Sequence, residues 1–408
     1  MVEGKRLQRT RPVFVPALAA RIAVITMVGS LTIFLVAAAG CSRPRASSGS
    51  ETGPDAAAFR FIHMSDTAVV WALTAQGVKR TEDGGASWKN VTPAGLQAPN
   101  GISVFCGDAL RAWLLVPLAV SGESGISGII YRTTDGGSSW QGTFVPFRGD
   151  FLFALPSGVP AAPGMPDQDG KEWVLAGAGV YFSGNGGVTW QLLSGAGAGA
   201  GAGAAAGSGA GSLPAGGVKK GLLFRPDGAV GWVGAAEEKP GLSGLYRSTD
   251  GGRTWERQDL PWPRGMDGYV MEISAVSFAS RTEGLAVALF GGRHPSLVIY
   301  ATADGGETWA PSPPLRLDAG KATATVIGPR GVVIADGSRK IRFTSDAGVT
   351  WKSVSLNLKL KSIDALSFVG PLSGWILGRS GDGKQALYRS LDGGRTWSTV
   401  SAEESKKD

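Results

Sequence analysis

An eight-residue string recurs seven times along this 408-residue chain, and it limits the possible folds more than any other property of the sequence. Written as Ser/Thr-x-Asp-x-Gly-x-Ser/Thr-Trp, it has its third position at Asp83, Asp135, Asn185, Asp250, Asp304, Asp346 and Asp392. A carboxylate two residues ahead of a Gly can fold back onto N–H groups of a tight turn, while the Gly supplies a positive φ that a side chain would resist. The leading hydroxyl can bond locally, and the closing Trp can lie over the turn and bury it. The string therefore predicts a stapled hairpin whose carboxylates are structural. Asn185 fits that role, since an amide oxygen still accepts the turn's hydrogen bonds and cannot serve as acid or base.

Successive third positions are 52, 50, 65, 54, 42 and 46 residues apart, a period that signals propellers or solenoids. Each interval holds more than its string. A short apolar strand comes first, as in Val276-Ser277-Phe278, and a second strand often opens Gly-Trp, as in Gly231-Trp232 and Gly374-Trp375. A third strand such as Leu387-Tyr388-Arg389 runs into the string, and a fourth leaves from its Trp. Four short antiparallel strands make one propeller blade. Tryptophan usage keeps this register: of 13 Trp, seven end the strings, five (Trp71, Trp113, Trp173, Trp232, Trp375) sit on second strands, and only Trp262 falls outside. Leu285 and Val332 take the second-strand position in repeats five and six. The expectation is an all-β, seven-bladed β-propeller of four-stranded antiparallel blades over residues 57–402, closed into one ring so that sheet edges are hidden. The longest interval contains the Gly/Ala run 194–217, which is too poor in large side chains for a core and reads as a disordered surface loop.

These strings resemble the Asp-box, or BNR repeat, of sialidases, sortilin, some glycoside hydrolases and the photosystem II stability/assembly factors. The resemblance implies that each box joins the third and fourth strands of a blade, away from the central channel. All seven copies keep the hydroxyl, the Gly and the Trp. The departures are Asn185 for Asp and Ala347 where a non-obligatory Gly is usual.

The amino terminus reads differently. Lys5, Arg6, Arg9, Arg11 and Arg21 lead into the apolar run Ile22 to Ala39 and then Ala38-Ala39-Gly40-Cys41. Small residues before a Cys are similar to a bacterial lipobox, although Ala38 stands where Leu or Val is commoner. That likeness implies a lipoprotein signal peptide over 1–40, cleavage before Cys41, and lipid on Cys41. The alternative is an uncleaved anchor, because 18 apolar residues can just span a bilayer. Both place the remainder in the cell envelope, outside the cytoplasm. Residues 42–56 are small and polar and read, with Cys41, as a flexible tether; 403–408 form a charged tail.

Setting 1–40 aside removes five Lys/Arg and one Glu, so the net charge of +7 falls to +3 and gives no argument for nucleic-acid binding. Cys106 is then alone in apolar company, which reads as a buried core thiol. With only His63 and His294, a multi-His metal centre or a Ser-His-Asp engine is not expected, and neither metal nor cofactor is called for.

Propellers commonly bind at one mouth of the channel, on second-to-third-strand turns and blade-to-blade loops. Those that are long here, such as Pro261 to Tyr269, Phe290 to Leu297 and Gly378 to Ala386, carry Trp262, Arg264, Arg293, His294 and Arg379 as candidate partner-binding residues. Arginine forks suit carboxylates and phosphates. Arg339, Lys340, Lys384, Glu237, Glu238, Asp267 and Asp382 stand on the same loops. Three functions fit such a chain. The first is a membrane-tethered, monomeric, non-catalytic scaffold for an exported protein or envelope component, as the assembly-factor likeness implies. The second is a glycosidase, which needs two carboxylates across a sugar ring. The nearest string to a sialidase signature, Phe224-Arg225-Pro226-Asp227, lacks the Ile and lies in repeat four. The third is a solute sensor, which fits least because the repeat shows no hinge between lobes.

Overall fold

The computed structural model describes residues 59–96, 102–118, 127–145, 151–154, 170–176, 179–195, 211, 213, 219–225, 227–237, 239–318 and 322–400, with the pair 31–32. Cys41, the tether, the charged tail and nearly all of the amino-terminal segment lie outside the described residues.

Seven antiparallel sheets follow one another along the chain, each built from four consecutive strands paired in sequence order. Blade 1 is Phe59–Met64, Val70–Thr74, Gly77–Thr81 and Lys89–Asn90. Blade 7 is Leu360–Val369, Ser373–Ser380, Gln385–Ser390 and Ser398–Val400. Among the described residues the four principal strands of every blade are contiguous in sequence, and no described strand from the amino-terminal segment pairs with blade 7. Two blades carry a fifth strand. In blade 5 the outer strand Ala310–Pro311 is interrupted at prolines and resumes as Leu315–Arg316 against Ser296 and Leu297. In blade 6 the pair Leu31–Thr32 lies antiparallel to Thr325 and Val326.

First strands form the hub. Thr325 of blade 6 donates its hydroxyl to Leu366 O of blade 7 at 2.9 Å, and Met64 N–H of blade 1 donates to Ser367 Oγ of blade 7 at 3.0 Å. The box turns and the first-to-second-strand turns share one face, here the box face. The opposite, loop face carries the second-to-third-strand turns and the blade-to-blade connections.

The core lies between blades, and the second-strand tryptophans build it. Trp71, Trp113, Trp173, Trp232 and Trp375 are all buried, as are Leu285 and Val332 in their place. These indoles reach across the seam: Trp71 Nε1–H donates to Asp108 O of blade 2 at 3.2 Å, and Trp173 Nε1–H to Gly251 O of blade 4 at 3.1 Å. The seam between blades 7 and 1 uses the same device, with Trp375 meeting the box Trp88 edge to face at 6.0 Å. Gly85 must be Gly for this contact, since its φ is +91° and a Cβ there would fall 2.5 Å from the Trp375 ring.

The Gly/Ala run departs from expectation where it is described. Leu213 is buried in the cluster that holds Trp173, Phe224 and Trp255, and Gly211 O accepts the Trp255 N–H at 2.7 Å. Leu213 and Gly211 thus lie beside a box whose Trp amide needs an acceptor.

Candidate functional site

The seven boxes come first, because they hold the most regular array of carboxylates. In blade 1, Thr81 Oγ1 donates to Asp83 Oδ1 at 2.7 Å and accepts the Gly85 N–H at 2.8 Å. Asp83 Oδ1 accepts the Ser87 N–H at 2.9 Å, and Oδ2 accepts the Ser87 hydroxyl at 2.5 Å. Asp135, Asp250, Asp304, Asp346 and Asp392 make the same set. At Asn185 one bond reverses: Oδ1 still accepts from Ser183 and from Thr189 N–H, but Nδ2 donates to the Thr189 hydroxyl at 2.9 Å. The hydroxyl is both donor and acceptor, so the corner survives the loss of charge.

Hydrogen bonds from the seventh-position hydroxyl and amide hold Asp83, Asp135, Asp346 and Asp392 down at about 2. Asp304 lies lower still for the same reason. At Asp250 burial pushes upward, and the bonds from Thr254, Ser248 and Arg253 outweigh it. A carboxylate so committed is an ionised, occupied acceptor and a poor proton carrier at neutral pH. No group of three or more His, Cys, Asp or Glu is placed to hold a metal ion among the described residues.

The loop face separates the expected partner-binding residues. Trp262, Arg264, Arg293 and His294 come together on blade 5. The connection carrying Trp262 and Arg264 is pinned where Tyr300 Oη–H donates to Pro261 O at 2.9 Å, and buried Met266 holds it from below. Its Tyr269 packs against Gly292 in the turn that bears Arg293 and His294: a Cβ at Gly292 would fall 2.7 Å from the Tyr269 ring. Trp262, the one Trp outside the repeat, is half-buried, with its ring edge-on to Phe290 at 5.4 Å. Phe290 closes the second strand of blade 5 beneath it, so the indole covers apolar surface and leaves one side to solvent. Arg379 is not part of this group. It stands on blade 7, its Nε 2.9 Å from an Asp364 oxygen.

Some loop-face cations are ion-paired and others, including exposed Arg339 on blade 6, are not. Lys340 pairs with Asp318 at 2.7 Å, Arg342 with Asp318 and Asp336 at 3.0 Å each, and Lys384 with Asp382 at 3.7 Å. Glu237 accepts from Tyr246 Oη–H at 2.6 Å and lies 3.6 Å from Arg257. Among the described residues, exposed Arg264, Arg293 and His294 make no side-chain hydrogen bond or ion pair, and exposed Asp267 shares the loop with Arg264. Arg316, which the sequence reading missed, joins them: it pairs in register with Ser296, two residues from His294, and is exposed. The signal was the Pro311-Ser312-Pro313-Pro314 break, after which the outer strand resumes.

A second feature lies on the box face between blades 2 and 3. A cleft of about 700 Å³ is lined by Asp108, Arg111, Arg132, Thr134, Asn185 and Gly186, among others. Beside it is Glu172, 1% exposed, with one oxygen 3.1 Å from Arg132 Nε and 3.1 Å from the donating Trp113 Nε1–H. Burial raises its carboxyl to about 7 against the pull of Arg132 and Trp113. Sequence reading passed over Glu172, although the residue ahead of the second-strand position is Val70, Ala112, Gly231, Gly284, Gly331 or Gly374 in the other blades.

The BNR/Asp-box repeat family matches residues 246–257, the third strand and box of blade 4. The chain carries BNR/Asp-box repeats. No curated protein matches the sequence. Among solved structures, this Asp-box propeller is similar to YCF48 bound to D1 peptide, with 17% identity over 83% of this chain and 93% of that one and a TM-score of 0.47. It is similar also to YCF48 from Cyanidioschyzon merolae, with 17% identity, 84% and 97% coverage and a TM-score of 0.49. A GH74 xyloglucanase from Xanthomonas campestris matches with 14% identity over 87% of this chain and 69% of that one, at a TM-score of 0.39. The likeness is one of fold.

Proposed function

We propose that this Asp-box propeller is a non-catalytic binding scaffold, tethered to a membrane through lipid on Cys41, and that the loop face of blade 5 engages an acidic segment of an exported protein or envelope component. The observation that carries this reading is a half-buried aromatic beside unpaired arginines. Exposed Arg264, Arg293, His294 and Arg316 stand on the loops and outer strand of blade 5 that accompany the half-buried Trp262, while the arginines and lysines elsewhere on that face that stand beside Asp318, Asp336, Asp364 and Asp382 are ion-paired. An exposed aromatic edge flanked by free guanidinium groups is the composition that interface hot spots favour. Free forks also accept carboxylates bidentately and steer acidic partners at low salt.

Crosslinking in membranes followed by capture tests it. The full chain is expected to recover a partner, and Arg264→Glu with Arg293→Glu should weaken capture at least tenfold without changing the melting temperature. Undiminished capture would remove the loop face from the interface, and turnover of a sialoside or β-glucan by the purified chain would favour the hydrolase reading.

A further inference from the structure

The cleft between blades 2 and 3 lies on the box face, opposite the loop-face surface, and the repeat itself indicates what it holds. Four blades place an Arg immediately ahead of the box hydroxyl: Arg80, Arg132, Arg247 and Arg389. Each points across the seam toward the next blade, where there is a position for an acid. In blade 4 that position is filled. Arg247 Nη1–H donates to Glu307 Oε2 of the blade 5 box at 2.9 Å, and Nη2–H donates to Oε1, a bidentate pair. In blade 1, Arg80 is satisfied by Glu82 at 2.5 Å and by Ala109 O at 3.1 Å.

Arg132 of blade 2 has no such acid. The box position equivalent to Glu307 is Val188, which is exposed. The guanidinium lies flat on Gly186, where a Cβ would fall 3.2 Å from Nη1, and over the Trp113 ring at 5.9 Å. Its Nε faces Glu172 at 3.1 Å, and neither Nη makes a hydrogen bond among the described residues. Arg389 also faces a box with no acid at the position equivalent to Glu307, where Ala86 stands, but no buried carboxylate or comparable cleft accompanies it among the described residues. At Arg132 both are present: a cavity of about 700 Å³ that the guanidinium lines, and a 1%-exposed Glu172 whose Oε2 has no hydrogen-bond partner. Arg111, paired with Asp108 at 2.7 Å, completes the charged lining, so two cations face two acids before anything enters.

We infer that this cleft binds a small carboxylate-bearing molecule, whose carboxylate takes the Nη fork of Arg132 as Glu307 takes that of Arg247. Glu172 holds the Nε side of the same guanidinium and so fixes the direction of the fork. A carboxylate is preferred over a phosphate because the repeat's own occupant of the equivalent position is a carboxylate.

Calorimetric titration of the full chain with succinate, acetate and inorganic phosphate tests the inference. Succinate is expected to bind saturably. Val188→Glu supplies the missing internal acid and should weaken succinate at least tenfold while raising the melting temperature, whereas Val188→Leu and Arg293→Glu should leave succinate binding unchanged. Because Arg293 belongs to the loop face, its variant separates this site from partner capture. Absence of saturable carboxylate binding, phosphate binding alone, or full succinate affinity in Val188→Glu would each overturn it.

Discussion

At the scale of single residues, the box is a lesson in how a polar side chain is retired from chemistry. In each of the six Asp corners at least three hydrogen bonds reach the carboxylate and hold it in its ionised form, and the measurable trace of this is acid sensitivity. For Asp83, Asp135, Asp346 and Asp392 the folded pKa of about 2 lies below the unfolded value near 3.8. The folded state binds fewer protons in that window, so the stability they contribute is complete above the unfolded value and is lost as pH falls through about 2. Melts between pH 5 and 2 should therefore show a steep acid limb, whose foot moves up by loss of any one box Asp. Two buried groups act at higher pH and with opposite signs. His63, held neutral by burial with its pKa lowered to about 4, withdraws stability as pH falls from 6.5 toward 4. Glu172, raised to about 7, contributes stability below its unfolded value of 4.5 that is lost as pH rises through 7. Glu172→Gln keeps the neutral shape and should flatten the alkaline arm, so that variant and wild type differ more at pH 8 than at pH 5.

The glycine at the fourth box position is a second residue-scale test. Ala347, alone among the described non-Gly residues in having a positive φ, adopts +57° where other boxes have Gly. The left-handed conformation costs about 1 to 2 kcal/mol. Offsetting this are the extra freedom Gly would regain on unfolding, roughly 0.5 to 1 kcal/mol, and one buried methyl worth about 0.8 kcal/mol. Ala347→Gly should thus be within about 1 kcal/mol of neutral, while Gly393→Ala, whose Cβ would sit 3.0 Å from Pro371 O, should cost about 1 to 2 kcal/mol. Chemical denaturation of both variants decides it.

At the scale of elements, second strands carry the packing and the connections between blades carry the recognition surface. Trp232→Ala empties a fully buried site stacked on Phe278 at 4.4 Å and should cost about 3 to 5 kcal/mol. Trp262→Ala should change the melting temperature far less and reduce partner capture more, since its ring covers Phe290 from the solvent side. The two tryptophans show what could be read in the sequence and what could not. Trp232 follows a Gly at a position repeated blade after blade, so period alone places it in the core. Trp262 has no repeat mate, and its half-buried seat depends on Phe290, 28 residues on, which no local pattern connects to it. Arg379 likewise shared a loop type with Arg293 in sequence, yet Asp364 neutralises it through a tertiary contact. Glu172 broke a pattern that was legible only once second strands were superposed on one another.

At the scale of the whole molecule, the described strands of the seven sheets close without one shared between blades 7 and 1, so that seam is sealed by side-chain packing and by contacts such as Met64 N–H to Ser367 Oγ. The seam between blades 7 and 1 buries Trp375, Trp88, Phe59, Ile62 and Leu387 in one cluster. Deletion of residues 360–408 would expose half of that cluster together with the inner edge of blade 6, and the truncated chain is expected to lose its near-ultraviolet dichroism and cooperative melting. A partial propeller that still melts cooperatively would show that the blades are stable without closure. The box strings foretold the number of blades and their contiguity, because each copy is followed by its own fourth strand.

The polypeptide joins the wheel at the axle and departs from the tyre: Phe59–Met64 is an innermost strand entered from the loop face, and Ser398–Val400 is an outermost one. The chain thus enters the hub at Phe59 from the side opposite the cleft between blades 2 and 3. It leaves the described ring at Val400 on the circumference, so the two ends of the propeller lie a full blade width apart.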